Sequence, residues 1–351
     1  MSPLSPPTLV AAVSNNGGLG SIAGARSNRS QLQREIAEVR RRTNRPFAVN
    51  LFVPPERPEN YTKADIKRIT HVLRRIRKRL NATTLINIPN FVKEPLSKLF
   101  KEQVQVLLDE RVPVFSFTFG RPSADIIKKF KDLKIKIVGT ATTPAECVEL
   151  KRIGCDAICV QGTEAGGHRG SFLVKDKEIN AKADFGLFAL LSQCRKLVNG
   201  TPLIAAGGIM DGQDMVSAIH QGASAIQMGT KFLTSQESTL IPPIHKELLL
   251  RPGKNPNNVS LIQDTVLTDI YTGKPARGIY TKLIETFNDI HSLPWDIQSQ
   301  FVGVVRHYAA RINHTDYMQL WAGKNYAKAE DKPVKRIIQD ILEEAEKFIR
   351  R

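Results

Sequence analysis

Along the 351-residue chain the spacing of apolar positions switches repeatedly between two periods. Short, β-branched runs at 19–22, 47–52, 113–117, 135–140, 157–161, 203–206 and 225–228 read as strands. Between them apolar residues recur every three or four positions, which predicts amphipathic helices over 31–42, 65–81, 95–110, 124–131, 144–153, 185–198 and 211–221. Thr143, just ahead of Pro144, and Asp211 have the chemistry of N-caps. Strand and helix in alternation predict βα units around a parallel sheet.

Seven strands are one short of a closed (β/α)8 barrel, a fold that needs roughly 250 residues. The segment 6–14 has the character of a first helix, so the strand expected to be missing is the first. Beyond Gly229 the rhythm changes: 252–258 is loop chemistry, 259–266 alternates, and helices follow from about 279. The expected architecture is therefore an α/β, TIM-type barrel lacking its first strand, with a mostly helical C-terminal addition. The expected division is 1–235 for the barrel and 236–351 for the addition.

Composition narrows the picture. Apolar residues make up 41% and charged residues 24%, ordinary values for a globular protein. No apolar run reaches the ~18 residues that span a bilayer, and residues 1–7 do not resemble a secretory signal, so a cytoplasmic protein is expected. A net charge of +17 raises the question of nucleic acid, and its strongest local support is the basic run 74–79. That run continues a helix whose Ile66, Ile69, Val72, Leu73, Ile76 and Leu80 share one face, so the basic side chains are expected on the solvated side. Cys155 and Cys159 would lie about 13 Å apart on one face of a strand at roughly 3.3 Å per residue, too far for a disulfide or a shared metal. They read as buried apolar residues, and no metal is expected.

Chemistry gathers in three glycine-bearing loops that directly follow strands, the rim where parallel barrels bind ligands. Residues 161–170, QGTEAGGHRG, bring one conspicuous titratable side chain, His168. The other six histidines read as surface or satisfied residues. Residues 205–211, with Gly207 and Gly208, and 227–232, opening Gln227-Met228-Gly229-Thr230, together have the form of a phosphate site, with Gly207, Gly208, Gly229 and Thr230 presenting backbone donors.

In order along the chain, the strings AAVSNNGGLGSI (11–22), PFAVNLF (46–52), QGTEAGGHRG (161–170), AAGGI (205–209) and QMGT (227–230) resemble the successive motifs of nitronate monooxygenases. GKPARG (273–278) and LWAG (320–323) are similar to that family's C-terminal landmarks, so the resemblance covers nearly the whole chain. The resemblance implies FMN as cofactor, with Asn50, Gln161, Gly166, Gly208 and residues 227–230 at positions that contact flavin, and His168 at the catalytic histidine. It implies oxidation of alkyl nitronates, typically propionate 3-nitronate, by dioxygen to a carbonyl compound and nitrite. The expected partners are that small molecule and dioxygen, with neither nucleic acid nor membrane, and a homodimer is compatible.

One departure stands out: family members open with a strand and a loop of the type Gln-Ala-Pro-Met that contacts the flavin, and nothing before Pro6 supplies them. The rival enzymes are flavin-dependent NAD(P)H:quinone reductase and enoyl-ACP reductase, which share the glycine and histidine loop. Outside enzymes, the rival is a catalytically impaired barrel that holds flavin without turnover.

Overall fold

The computed structural model describes residues 4–55, 60–82, 96–175, 178–179, 184–251, 264–287, 290–295 and 297–350. Seven strands form one parallel sheet: β1 (Gly20–Ala23), β2 (Phe47–Phe52), β3 (Val114–Thr118), β4 (Lys136–Ala141), β5 (Ala157–Gln161), β7 (Leu203–Ala206) and β8 (Ala225–Gln227). Each pairs with its neighbour in chain order, and β6 (Gly167–His168) leaves this order for a second sheet. All seven expected strands are present, shifted by a residue or two at most. The expected helices appear as Arg29–Arg42, Lys63–Arg79, Leu96–Asp109, Ala124–Asp132, Pro144–Arg152, Leu187–Leu197 and Gly212–His220. The caps do their work as expected: the side chain of Thr143 accepts from Glu146 N, and that of Asp211 from Asp214 N.

Two faces of the sheet differ in chemistry. Outward, Val49, Leu51, Phe115, Phe117, Ile137, Ile158 and Val160 are buried in one core with Leu32, Ile36, Leu107, Phe130, Leu150 and Leu191 of the surrounding helices. Inward, Asn50, Ser116, Thr118 and Thr140 are only half-buried. They join in a row, with Asn50 Nδ2 donating to Ser116 Oγ at 3.0 Å and Thr118 Oγ1 lying 3.5 Å from Thr140 Oγ1. The interior of a β/α barrel is ordinarily filled by branched apolar side chains, so a polar, partly accessible inner wall is a surface suited to a polar ligand.

β1 and β8 are the outer strands and do not pair with each other among the described residues. The helical layer nevertheless continues past this opening. Helix Val334–Ile349 packs against Gly212–His220 on one side and against Pro7–Asn15 on the other. Leu9, Phe232, Val334, Ile337 and Ile341 share a small core there.

The C-terminal part is helical for the most part but adds two strands, β9 (Thr265–Thr268) and β10 (Ala276–Ile279). With β6 they form an antiparallel sheet in the order β6-β10-β9. β9 meets the end of the expected alternating segment; β10 carries no signal of its own, because pairing on both sides creates it. The expected loop at 252–258 and most of 259–266 lie outside the described residues. Ile69, Val72, Leu73 and Ile76 of helix Lys63–Arg79 pack with Phe301, Val302 and Val305 of helix Ile297–Arg311, while Arg74, Arg75, Lys78 and Arg79 face solvent as expected. All four cysteines are buried and free. The sequence spacing drew attention to Cys155 and Cys159, yet the sulfurs that meet, at 2.7 Å, belong to Cys147 and Cys194 on neighbouring helices. Among the described residues no helix is long and apolar enough to cross a membrane.

Candidate active site

Register brings the glycine loops together. Gln161, Ala206 and Gln227 stand opposite one another at the ends of β5, β7 and β8, so the three following loops start level on the same rim. Beyond that level the loops touch. Gly166 lies so close to the Ala322–Gly323 backbone that a Cβ on it would sit 2.5 Å from Gly323 N, which only glycine avoids. Gly323 N in turn donates to Thr230 Oγ1 at 3.0 Å. Gly207 and Gly208 both have positive φ, 117° and 73°, and a Cβ on Gly207 would meet Ala165 N at 3.0 Å. Asn325 Nδ2 donates to Gly208 O at 2.7 Å, tying the β7 loop to the same C-terminal segment.

The structure thus assembles Gln161, Gly166, Gly207, Gly208, Gly229 and Thr230 at one corner of the rim. Gln227 is exposed on the outer strand β8, and the Met228 side chain packs half-buried into the apolar cores. Asn50 lies apart from this corner, on the inner wall of β2. Gln161 already serves its own loop: its Nε2 donates to His168 O at 3.0 Å and its Oε1 accepts from Gly170 N at 2.8 Å. One N–H and part of the carbonyl oxygen's acceptor capacity remain for another partner.

His168 sits where the two sheets meet. Its strand pairs antiparallel with β10, placing Ala276 opposite His168 and Arg277 opposite Gly167. The imidazole is edge-on to three rings, Phe52, Phe119 and Trp321, with centroids 5.8, 5.6 and 5.6 Å away. Its Nε2 lies 2.9 Å from Thr272 Oγ1. Burial, together with the like charges of Arg26, Lys274 and Arg306, pushes its pKa from the ordinary 6.5 down to about 3. The ring is therefore neutral at pH 7, where the unperturbed value would have left it near its titration point.

Several residues that shape this site carried no local sequence signal. Phe119 has φ 75°, a left-handed conformation that costs a non-glycine residue energy and concentrates at functional sites. Trp295 packs edge-on to Phe52 and Phe119 at 5.8 and 5.1 Å. Buried Arg277 donates from Nε to Thr163 O at 2.7 Å and from Nη1 to Thr265 O at 2.9 Å, clamping the histidine loop from the far end of the chain. Glu146 is fully buried, and its carboxylate accepts from Thr142 N and Oγ1 and from Phe172 N and Leu173 N, fixing the exit of that loop. Arg277 falls inside the motif 273–278, the one place where the sequence could have pointed to it. His245, read as a satisfied residue, is buried and bonded through Nε2 to Trp321 O at 3.2 Å.

A family model described as nitronate monooxygenase matches residues 1–344. A protein of Staphylococcus aureus (strain MSSA476) named "Probable nitronate monooxygenase" is 39% identical over 345 residues, covering 96% of this chain and 90% of its own. A protein of the same name from Staphylococcus haemolyticus (strain JCSC1435) is 35% identical, covering 97% and 91%. Among solved structures, nitroalkane oxidase from Streptomyces ansochromogenes superposes with a TM-score of 0.88 at 32% identity, over 99% of this chain and 94% of that one. FabK from Thermotoga maritima follows the same path with a TM-score of 0.72 at 27% identity, over 100% and 92%. With a family model matched across nearly all of its length and relatives above one-third identity, the chain belongs to the nitronate monooxygenase family.

Proposed function

We propose that the protein is an FMN-dependent enzyme that oxidises alkyl nitronates, propionate 3-nitronate among them, with dioxygen to a carbonyl compound and nitrite. The observation that carries this reading is the meeting of the loops after β5, β7 and β8 beside a histidine enclosed by aromatic rings.

The residues fit a flavin mononucleotide. Gly207 and Gly208, held at positive φ, make a backbone cradle that side chains would close, and the amides of Gly229 and Thr230 lie at the same corner. In this reading these amides hold the phosphate, while Asn50 and Gln161 offer side-chain amides to the ring edge. When bound, FMN supplies the electron acceptor and the route to dioxygen.

The chain's own residues handle the substrate and its proton. In this reading the Thr272 hydroxyl donates to Lys274 O, 3.3 Å away, and accepts from His168 Nε2–H at 2.9 Å, which leaves the lone pair on Nδ1. Where the substrate arrives as the neutral nitroalkane, a neutral imidazole with that lone pair can take the proton from the carbon beside the nitro group, the proton passing to Nδ1 and leaving the nitronate. The rings of Phe52, Phe119 and Trp321 keep water from the charge that develops.

Anaerobic mixing of FMN-loaded protein with propionate 3-nitronate, and separately with NADH or NADPH, tests this directly. Bleaching of the oxidised flavin band by the nitronate, with no response to nicotinamide, is expected. Rapid bleaching by NADH or NADPH alone would overturn it in favour of a reductase.

A further inference from the structure

Two helices on the outer side of the sheet meet through their sulfurs. Cys147 lies in the first turn of helix Pro144–Arg152 and Cys194 near the end of helix Leu187–Leu197. The helices pack against each other, and both side chains are fully buried in the core shared with Leu150, Leu190 and Leu191. Their sulfurs stand 2.7 Å apart. Unbonded sulfur atoms keep farther apart than this, whereas a bonded pair lies at about 2.05 Å, so a shift of about 0.7 Å separates the two thiols from a disulfide.

Each helix also anchors one end of the segment that carries His168. Glu146, the residue before Cys147, accepts from Phe172 N at 2.6 Å and from Leu173 N at 2.9 Å, just beyond the histidine. Leu187 N, the first amide of the second helix, donates to the Glu164 carboxylate at 3.0 Å, just ahead of it. A bond between the two helices therefore also fixes the two anchors of the histidine loop relative to each other.

We propose that Cys147 and Cys194 are a redox modification site, at which hydrogen peroxide converts the two thiols to a disulfide that ties the helices together and stiffens the histidine loop. One sulfur attacks a peroxide oxygen, the O–O bond breaks, and a sulfenic acid and water form. The second sulfur then displaces the hydroxyl from the first and the S–S bond closes. The two electrons and two protons given up by the thiols leave in the two molecules of water. Neither sulfur is exposed, so a small oxidant is required and a bulky disulfide reagent is excluded. The contact with Cys194, together with burial, holds the Cys147 thiol well above its ordinary pKa, so thiolate is scarce and the reaction is slow.

The test treats the full chain, kept reduced until then, with hydrogen peroxide, removes the excess with catalase, and unfolds it in denaturant with N-ethylmaleimide present. Peptide mass spectrometry should find Cys147 joined to Cys194 and unlabelled, with Cys155 and Cys159 labelled. The oxidised protein should melt about 5 °C above the dithiol, the effect of closing a loop between residues 47 apart in a chain of this size. Hydrogen exchange at the amides of Phe172, Leu173 and Leu187 should slow by about tenfold. Cys194→Ala and Cys147→Ala should abolish both responses to peroxide, while Cys155→Ala should retain them. Four labelled cysteines after treatment, a bond that involves Cys155 or Cys159, or a joined pair whose melting and loop exchange match the dithiol would overturn the proposal. The mass spectrum of the unaltered protein decides it even where an alanine variant fails to fold.

Discussion

The corner formed by the loops after β5, β7 and β8 and the layer that covers His168 are built in different ways. At the corner, shape comes from the backbone: glycines take positive φ or allow two segments to touch, and the register of three parallel strands sets the loops level. Over His168, shape comes from side chains far apart in sequence: Thr272 bonds the ring, Arg277 clamps Thr163, and Trp295 closes the aromatic group. The first region suits a ligand gripped by amides, the second a substrate sorted by ring faces and charges. Substitutions should therefore separate cofactor binding from turnover.

The largest effect on cofactor binding should come from the corner. Gly207→Ala places a Cβ at φ 117°, 3.0 Å from Ala165 N. Strain of about 1–3 kcal/mol is expected, the equivalent of roughly five- to 150-fold in FMN affinity. Fluorescence titration of FMN into the apoprotein reads it, and unchanged affinity would mean that the corner is not the phosphate cradle. In the covering layer, Thr272→Val should leave FMN affinity alone and lower kcat about tenfold, because the ring loses the partner that fixes its proton. A variant that lost flavin and turnover together would erase the distinction between the regions. The pH profile sharpens it further: since His168 is held to about 3, the acidic limb of kcat/KM for neutral nitroethane should lie well below pH 6.5.

A smaller effect on activity, visible instead in stability, concerns His245. Burial lowers its pKa from 6.5 to about 4, so the unfolded chain binds the proton more readily than the folded one between those values. Stability contributed by the neutral ring is complete above pH 6.5 and is lost as pH falls toward 4, by about 3 kcal/mol in all. Thermal melts across that window should show the decline, and His245→Gln should make it shallower, His168 and His307 keeping their own share.

The same contrast explains what the sequence revealed. Each strand and helix of the barrel announces itself through local periodicity, and the corner through glycines that directly follow strands, so both were legible. β10, Trp295, Arg306 and the strained Phe119 were not. Their roles arise from pairing and packing across 100 residues or more, as with Thr272 and His168, whose separation along the chain is 104. Charge was misleading in its most conspicuous place: Arg74, Arg75, Lys78 and Arg79 face solvent on a helix, whereas Arg26 and Arg306, isolated in sequence, converge on one hydroxyl.

The central claim is that a backbone cradle holds the cofactor while His168 acts on the substrate, and one variant addresses both halves. His168→Asn should bind FMN as tightly as the unaltered protein and lose conversion of neutral nitroethane by about a hundredfold or more. Full turnover with asparagine in that position, or loss of FMN with the imidazole, would contradict it.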